Sequence, residues 1–235
     1  MTKHVKTNII RAGLVLVFLL ATTWEPLCGQ EIKVIRDFKL WSGVELEKSV
    51  GKNWKFMLEE EVRLQKNATE AGSILTEAGV EYTVDKNISL EAAWRYTRNR
   101  KKNNAFENRS RYAFDLNYEG ELRALALHAR LRYQKEVESL NLFDLKIPYE
   151  KHFRTRVEFR YLQSGKFEPF VSAELFQLHE LNSYPEFEKC RVLAGARIDV
   201  SKHGDAKISY GFDRELNSFF PSTYYILKLN YTFKF

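Results

Sequence analysis

The chain has little cysteine, proline or glycine, and each shortage excludes a class of protein. Two cysteines exclude a disulfide framework and a cysteine-rich zinc site. Five prolines and an aromatic content of 14% argue against disorder, and the eleven glycines form no glycine-rich phosphate loop. Beyond the N-terminal region, no segment approaches the about 20 apolar residues that a membrane-spanning helix needs. The totals, with a mean hydropathy of -0.43, describe a slightly basic chain of 235 residues.

The N-terminal segment is typical of a secretory signal peptide. Residues 1–23 contain no Asp or Glu, and three basic residues precede an apolar run at residues 12–23. We expect cleavage after Gly29, which leaves residues 30–235 as one mature domain. A membrane anchor and a lipoprotein acylated at Cys28 are alternatives. The run is short for a span, however, and a bulky leucine precedes that cysteine.

Removal of this segment changes the charge and the cysteine count. It takes away three Lys or Arg residues and one Glu, so that 34 basic and 30 acidic residues remain. The formal charge falls from +6 to +4. Cys190 is then the single cysteine and can form no internal disulfide.

Apolar and polar residues alternate with a period of two from residue 38 onward, in about eleven runs. The runs last about 10–13 residues, longer than the ~5–6 of soluble strands and near the ~9–11 of membrane-spanning strands. We predict strands that start near residues 38, 54, 73, 88, 108, 122, 153, 168, 189, 206 and 223.

Short and long connections alternate between these strands. The short turns are predicted at residues 49–53, 85–87, 119–121, 164–167 and 201–205. The long connections are predicted at residues 66–72, 99–107, 135–152, 179–188 and 217–222. This order predicts an all-β, antiparallel up-and-down transmembrane β-barrel with short periplasmic turns and longer outer loops. A soluble periplasmic β-cup has a similar order and remains an alternative.

The number of strands follows from where the chain begins and ends. If both termini lie in the periplasm, the eleven runs need one more outward segment, and residues 31–36 are the candidate. We therefore expect about 12 strands, with 10 as the fallback. Residues 139–149 also alternate and could extend the flanking strands above the membrane.

The last strand carries aromatic residues on one face and ends on one. Tyr231, Phe233 and Phe235 alternate with polar residues up to the C-terminus. This ending resembles the signal that the outer-membrane assembly machinery reads. We expect that machinery to be a partner.

Several segments together resemble the exported barrels known as domain of unknown function 2490, of Bacteroidetes-type bacteria. They are residues 37–43, 54–63, 95–100, 153–156 together with 160–161, and 168–176. The most specific part is the Pro-Phe-Val-Ser-Ala-Glu-Leu-Phe segment at residues 169–176, and the resemblance covers nearly the whole mature chain except the connection at residues 135–152. It implies an outer-membrane barrel and no activity.

Charged residues occupy the faces opposite the apolar ones and are predicted to line the lumen. They are Glu59, Glu61, Arg63, Glu77, Glu81, Glu91, Arg95, Arg109, Arg111, Arg130, Arg132, Arg154, Arg156, Glu158, Arg160, Glu174, Arg191 and Arg197. Because a lumen of this size is narrow and an isolated buried charge is costly, these groups must be paired or wet. Two interpretations stay open: a cross-lumen network that fills the barrel, and a lining selective for small anions, since Arg outnumbers acid in this set.

Catalytic and metal-binding residues have weaker support. A barrel hydrolase acting on lipid or peptide would need a nucleophile and a base, and the candidates are His128, His152, His179, Ser139, Ser172 and Ser183. No spaced Asp, Glu and His cluster predicts a metal site. We expect no cofactor, no metal and no catalytic residue.

The basic run at Arg98, Arg100, Lys101 and Lys102 belongs to a predicted outer loop. Export argues against nucleic acid as its partner and favours anionic lipopolysaccharide, together with other outer-membrane lipids. The sequence thus predicts a protein of the Gram-negative outer membrane that is either a narrow channel or a structural barrel. It does not indicate an oligomeric state.

Overall fold

A computed structural model of the protein describes residues 35–101, 103, 105–137, 149–162, 166–179 and 186–235. These residues form strands and connections, and among them no helix is long and apolar enough to cross a membrane. The strands are β1 (Ile35–Val50), β2 (Trp54–Gln65), β3 (Glu70–Thr83), β4 (Ile88–Arg100), β5 (Phe106–Leu122), β6 (Leu125–Val137), β7 (Tyr149–Tyr161), β8 (Phe167–Leu178), β9 (Glu186–Ser201), β10 (Gly204–Glu215) and β11 (Ser222–Lys234).

The eleven strands close into one barrel in which each strand is antiparallel to its sequence neighbours. The closing pair, β1 with β11, is parallel, and Ile35 is the register partner of Ser222. At the other end of this pair, the backbone N–H of Phe235 donates to the carbonyl of Glu47 at 2.9 Å. The start of β1 and the C-terminus therefore lie at opposite ends of the barrel.

The predicted class, an all-β transmembrane-type barrel of about 12 strands, is confirmed, and each predicted strand start has a strand within four residues. The described residues contain eleven strands, because β1 runs without a break from residue 35 and the parallel pair closes an odd-numbered sheet. Of the candidate twelfth strand at residues 31–36, only the last two residues are described, and both belong to β1. Residues 1–29 and most of 139–149 lie outside the described residues.

One predicted turn is wrong. Residues 119–121 lie inside β5, and the chain reverses at Arg123 and Ala124 instead. Arg123 has a φ of 58°, the left-handed conformation that a two-residue hairpin loop needs. Gly120 therefore lies in the strand, and a non-glycine residue forms the bend.

The connection between β2 and β3 is shorter than predicted and is held by β1. Lys66, Asn67 and Ala68 have consecutive φ values of 54°, 57° and 60°. The carboxylate of Asp37 accepts the backbone N–H groups of Lys66 at 3.1 Å and Asn67 at 2.8 Å. These bonds from a neighbouring strand stabilise a backbone conformation that non-glycine residues rarely adopt.

The outer face of the barrel is apolar and ends in two aromatic belts. One belt lies near the short connections and consists of Trp54, Tyr82, Tyr118, Tyr161, Phe167 and Phe233. The other lies near the longer connections and consists of Tyr96, Phe106, Tyr133, Phe153, Phe187 and Tyr225. Between the two belts lie apolar side chains such as Leu116, Leu131 and Val171, which are roughly half exposed. An apolar outer band between aromatic girdles is the surface of a barrel that lipid surrounds.

The interior is polar, the reverse of a soluble protein. Side chains that are almost fully buried include Glu61, Asp115, Arg132, Arg154 and Glu174, none more than 8% exposed. Since such charges are costly to bury alone, the interior has to satisfy them with one another or with water. The polar lumen is therefore the candidate functional site.

Candidate functional site

Two chambers occupy the lumen, one after the other along its axis. The turn-side chamber has a volume of about 560 Å³ and reaches the β3–β4 connection at Asp85 and Lys86. The loop-side chamber has a volume of about 580 Å³ and reaches Glu150 and Glu188 beside the longer connections. The two share one set of lining residues, the central ring: Glu45, Met57, Glu91, Arg130, Arg156, Glu158, Phe170 and Lys207.

Of the eighteen charged residues that the sequence places in the lumen, all but Glu61 line one of the chambers. Glu61 is buried beside them, 1% exposed, and its carboxylate meets Lys228 at 2.7 Å. Further charged residues lie on the same inward faces but are absent from the predicted set. Period-two alternation along each strand could have identified them. They include Glu45, Glu47, Lys55, Asp115, Lys189, Asp205, Lys207, Asp213 and Lys228.

Glu174 is the centre of the densest ion cluster. Its carboxylate meets the guanidinium of Arg130 at 2.8 Å, that of Arg154 at 2.8 Å and that of Arg191 at 3.5 Å. These arginines come from β6, β7 and β9, so that a single carboxylate on β8 ties together four strands. Charge-assisted hydrogen bonds of this kind are about twice as strong as neutral ones.

Other carboxylates follow the same rule of two or more cations to one acid. Asp115, 4% exposed, accepts three hydrogen bonds from Arg132 at 2.6–2.9 Å, a bidentate pair, and the guanidinium of Arg130 lies 3.7 Å from it. Glu77 bonds Arg95 at 2.5 Å and Arg111 at 3.0 Å. Fixed guanidinium forks hold these acids in place because their planar donors match carboxylate geometry.

Two contacts cross the lumen instead of following its wall. The ammonium of Lys207 on β10 meets the carboxylate of Glu158 on β7 at 3.0 Å, passing in front of β8 and β9. The guanidinium of Arg191 lies 4.8 Å from the ring centroid of Trp41 on β1 and 5.0 Å from that of Phe176. The bridge from Lys207 to Glu158 narrows the passage between the chambers, since both residues belong to the central ring, and the contact of Arg191 with Trp41 lies in the loop-side chamber.

Several pairs of like charges are direct register partners on neighbouring strands, an arrangement that destabilises a sheet. The acidic pairs include Glu45 with Glu59, Glu59 with Glu77, Glu81 with Glu91, Glu91 with Asp115, and Glu136 with Glu150. The basic pairs include Arg95 with Arg111, Arg130 with Arg156, Arg132 with Arg154, and Arg197 with Lys207. Charges of one sign are thus grouped side by side in the lumen.

The serine and histidine candidates do not come together. Ser139 and Ser183 lie outside the described residues. His128 lines the turn-side chamber, whereas His152 and Ser172 line the loop-side chamber. His152 lies opposite residue 178, six positions and about 20 Å of strand from Ser172. His179 packs edge-on against the outward ring of Phe153.

His152 instead takes part in a polar contact near the rim. Its Nε2 atom lies 3.4 Å from the carboxylate of Glu188 and 4.0 Å from that of Glu150. Within the described part of the chain, no group of three or more His, Cys, Asp or Glu side chains is arranged to hold a metal ion. Cys190 is a free thiol on β9.

Of the comparisons with known proteins, one shows the family of this chain, and that family has no assigned function. Solved structures similar to this chain include the β domain of the Bordetella autotransporter BrkA, at 10% identity and a TM-score of 0.45, covering 74% of this chain and 81% of that chain. A comparison with curated proteins gives no match. Residues 38–218, which span β1 to the end of β10, match the profile of the family described as protein of unknown function, DUF2490. The chain therefore belongs to the DUF2490 family.

Proposed function

We propose that this protein is an outer-membrane barrel that acts as a narrow, water-filled channel for small solutes. The observation that carries the proposal is the pair of polar chambers that meet at the central ring and reach opposite ends of the barrel. A chamber of about 560 Å³ has room for roughly fifteen or more water molecules. A barrel with a purely structural role needs no such polar space.

The charged lining fits a small wet passage better than an open pore. Cross-lumen contacts such as Lys207 with Glu158 leave no wide channel, and most buried charges have ion-pair partners. The chambers have a polar lining and enough volume to hold water beside these ion pairs. The passage then suits ions and solutes of a few heavy atoms.

The proposed orientation has the short connections and Phe235 in the periplasm. Outer-membrane barrels have short periplasmic turns, and the outward aromatic side chains Tyr231 and Phe233 lead to the C-terminus as the assembly machinery requires. In this orientation the longer connections meet lipopolysaccharide. The basic residues Arg98 and Arg100, near the β4–β5 connection, would then contact its phosphates.

Single-channel recording in planar bilayers tests the function. The refolded protein should give small current steps that grow with salt concentration. Replacement of Lys207 by Ala removes a group that crosses the lumen and should raise the conductance, whereas Lys202→Ala in the exposed β9–β10 turn should leave it unchanged. Both variants keep the partner of Glu158 on its own strand, Arg156 at 3.2 Å.

Folding is checked separately, by a shift of the unheated band in gel electrophoresis. Folded protein that conducts no current at any salt concentration would refute the channel and leave a structural barrel. Cell fractionation tests the location: the protein should be found in the outer membrane as a heat-modifiable band. Recovery from the soluble periplasm would favour a β-cup instead.

A further inference from the structure

The charges of the lumen are divided between two parts of the wall, and the division is larger than ion pairing requires. Strands β1–β4 supply six carboxylates and three cations to the chamber linings. Strands β5–β11 supply thirteen Lys or Arg residues and seven carboxylates. We call the first part the acidic wall and the four arginines of β6 and β7, Arg130, Arg132, Arg154 and Arg156, the arginine wall.

This division costs stability, because like charges in direct register repel each other. An alternating order of Glu and Arg around each register row would pair the same groups without that repulsion. On the three neighbouring strands β1, β2 and β3, however, Glu45 is the register partner of Glu59, and Glu59 is the register partner of Glu77. Across β6 and β7, Arg130 faces Arg156 and Arg132 faces Arg154. A structural network alone gives no reason for this arrangement.

Both walls reach the central ring, where the passage between the chambers lies. The acidic wall contributes Glu45 and Glu91, and the arginine wall contributes Arg130 and Arg156. The carboxylate of Glu45 has no cation within ion-pair distance among the described residues and accepts a hydrogen bond from Thr232 at 3.3 Å. Within the described part of the chain, Arg156 has one ion-pair partner, Glu158, on its own strand. Among the described residues, a carboxyl group without a cation partner and a guanidinium group with one acidic partner are therefore available to a passing solute at the ring.

We propose that the central ring selects small zwitterions, solutes that carry an ammonium and a carboxylate a few bonds apart. The ammonium would face Glu45 and Glu91 while the carboxylate faces Arg130 and Arg156. Opposite fixed charges on the two sides of a narrow, low-dielectric passage stabilise such a dipole more than a neutral solute of equal size, which can offer them only hydrogen bonds in exchange for its lost water. This inference rests on the proposed channel function.

Swelling of proteoliposomes with two isomeric solutes provides the test. Alanine and lactamide have the same atoms and nearly the same size, but alanine is a zwitterion and lactamide is neutral. Rates are corrected for protein-free vesicles of the same lipid. The wild-type barrel should admit alanine at least several times faster than lactamide. Equal rates, or faster entry of lactamide, would overturn the selectivity while leaving the channel intact.

Two variants locate the effect at the ring. Glu45→Gln and Arg156→Gln each remove one ring charge, and in the second variant Glu158 retains Lys207 at 3.0 Å. Both should lower the ratio of the alanine rate to the lactamide rate toward one, while the control Lys202→Gln keeps the wild-type ratio. An unchanged ratio in both folded ring variants would contradict the proposed site. No swelling with either solute in folded wild-type protein would instead refute the channel itself.

Discussion

Substitution of Glu174 by Gln should destabilise the barrel by about 3 kcal/mol. The carboxylate is 4% exposed and is the main acidic partner of Arg130 and Arg154. Removing one member of a buried ion pair costs about 3–5 kcal/mol, because the remaining charge is left uncompensated. The amide keeps one acceptor oxygen and the loop-side chamber admits water, which places the expected value at the lower end.

The measurement is the free energy of unfolding in urea, followed by tryptophan fluorescence of the protein refolded into lipid vesicles. Glu121→Gln, at the exposed end of β5, is the matched control and should change the stability by less than about 0.5 kcal/mol. Adding Arg154→Met to the Glu174→Gln variant should recover part of the loss, because the unpaired guanidinium is removed.

A loss below about 1 kcal/mol for Glu174→Gln would refute this reasoning. It would mean that lumen water solvates the arginines so well that their carboxylate hardly matters. Further destabilisation by Arg154→Met would show that the packing of this arginine over the ring of Phe176, at 4.3 Å, outweighs its charge.

Two further predictions concern the wall and its orientation. Gly211→Ala should severely lower the yield of folded, heat-modifiable protein. A Cβ atom at this position would lie 1.8 Å from the carbonyl oxygen of Val192 on the neighbouring strand. A folded yield equal to that of the wild type would contradict the close approach of β9 and β10. In a cysteine-free background, a membrane-impermeant maleimide on intact cells should label Ser218→Cys, at the loop end of β10, but not Lys202→Cys, at its turn end. The parallel closure predicts that Arg36→Cys is labelled as well, and labelling of Lys202→Cys alone would invert the orientation.

Sequence periodicity was sufficient to predict the strands. A strand between lipid and water shows its two surroundings in alternate residues, so Leu125, Leu127 and Leu131 could be assigned to one face without any tertiary information. Turn positions were harder, because the bend at Arg123 uses a residue type that seldom marks a turn.

The sequence was sufficient to predict which charged residues line the lumen, but not which of them form ion pairs with one another. Alternation places Arg154 and Glu174 on inward faces, but it does not reveal that they meet, since they belong to different strands 20 residues apart. The excess of arginine over acid inferred from the sequence holds for the β5–β11 part of the lining and is reversed on β1–β4. Register, which depends on turn geometry and strand pairing, decided which charges became neighbours.

The sequence by itself determined that the chain forms long, two-faced strands with an apolar outer surface and a charged inner one. Only the tertiary structure decided that eleven of them close through a parallel pair, and that the lumen charges separate into an acidic and an arginine wall. The physical reason is that alternation is a local property of each strand. Closure and charge pairing depend on register around the whole ring, which no single segment encodes.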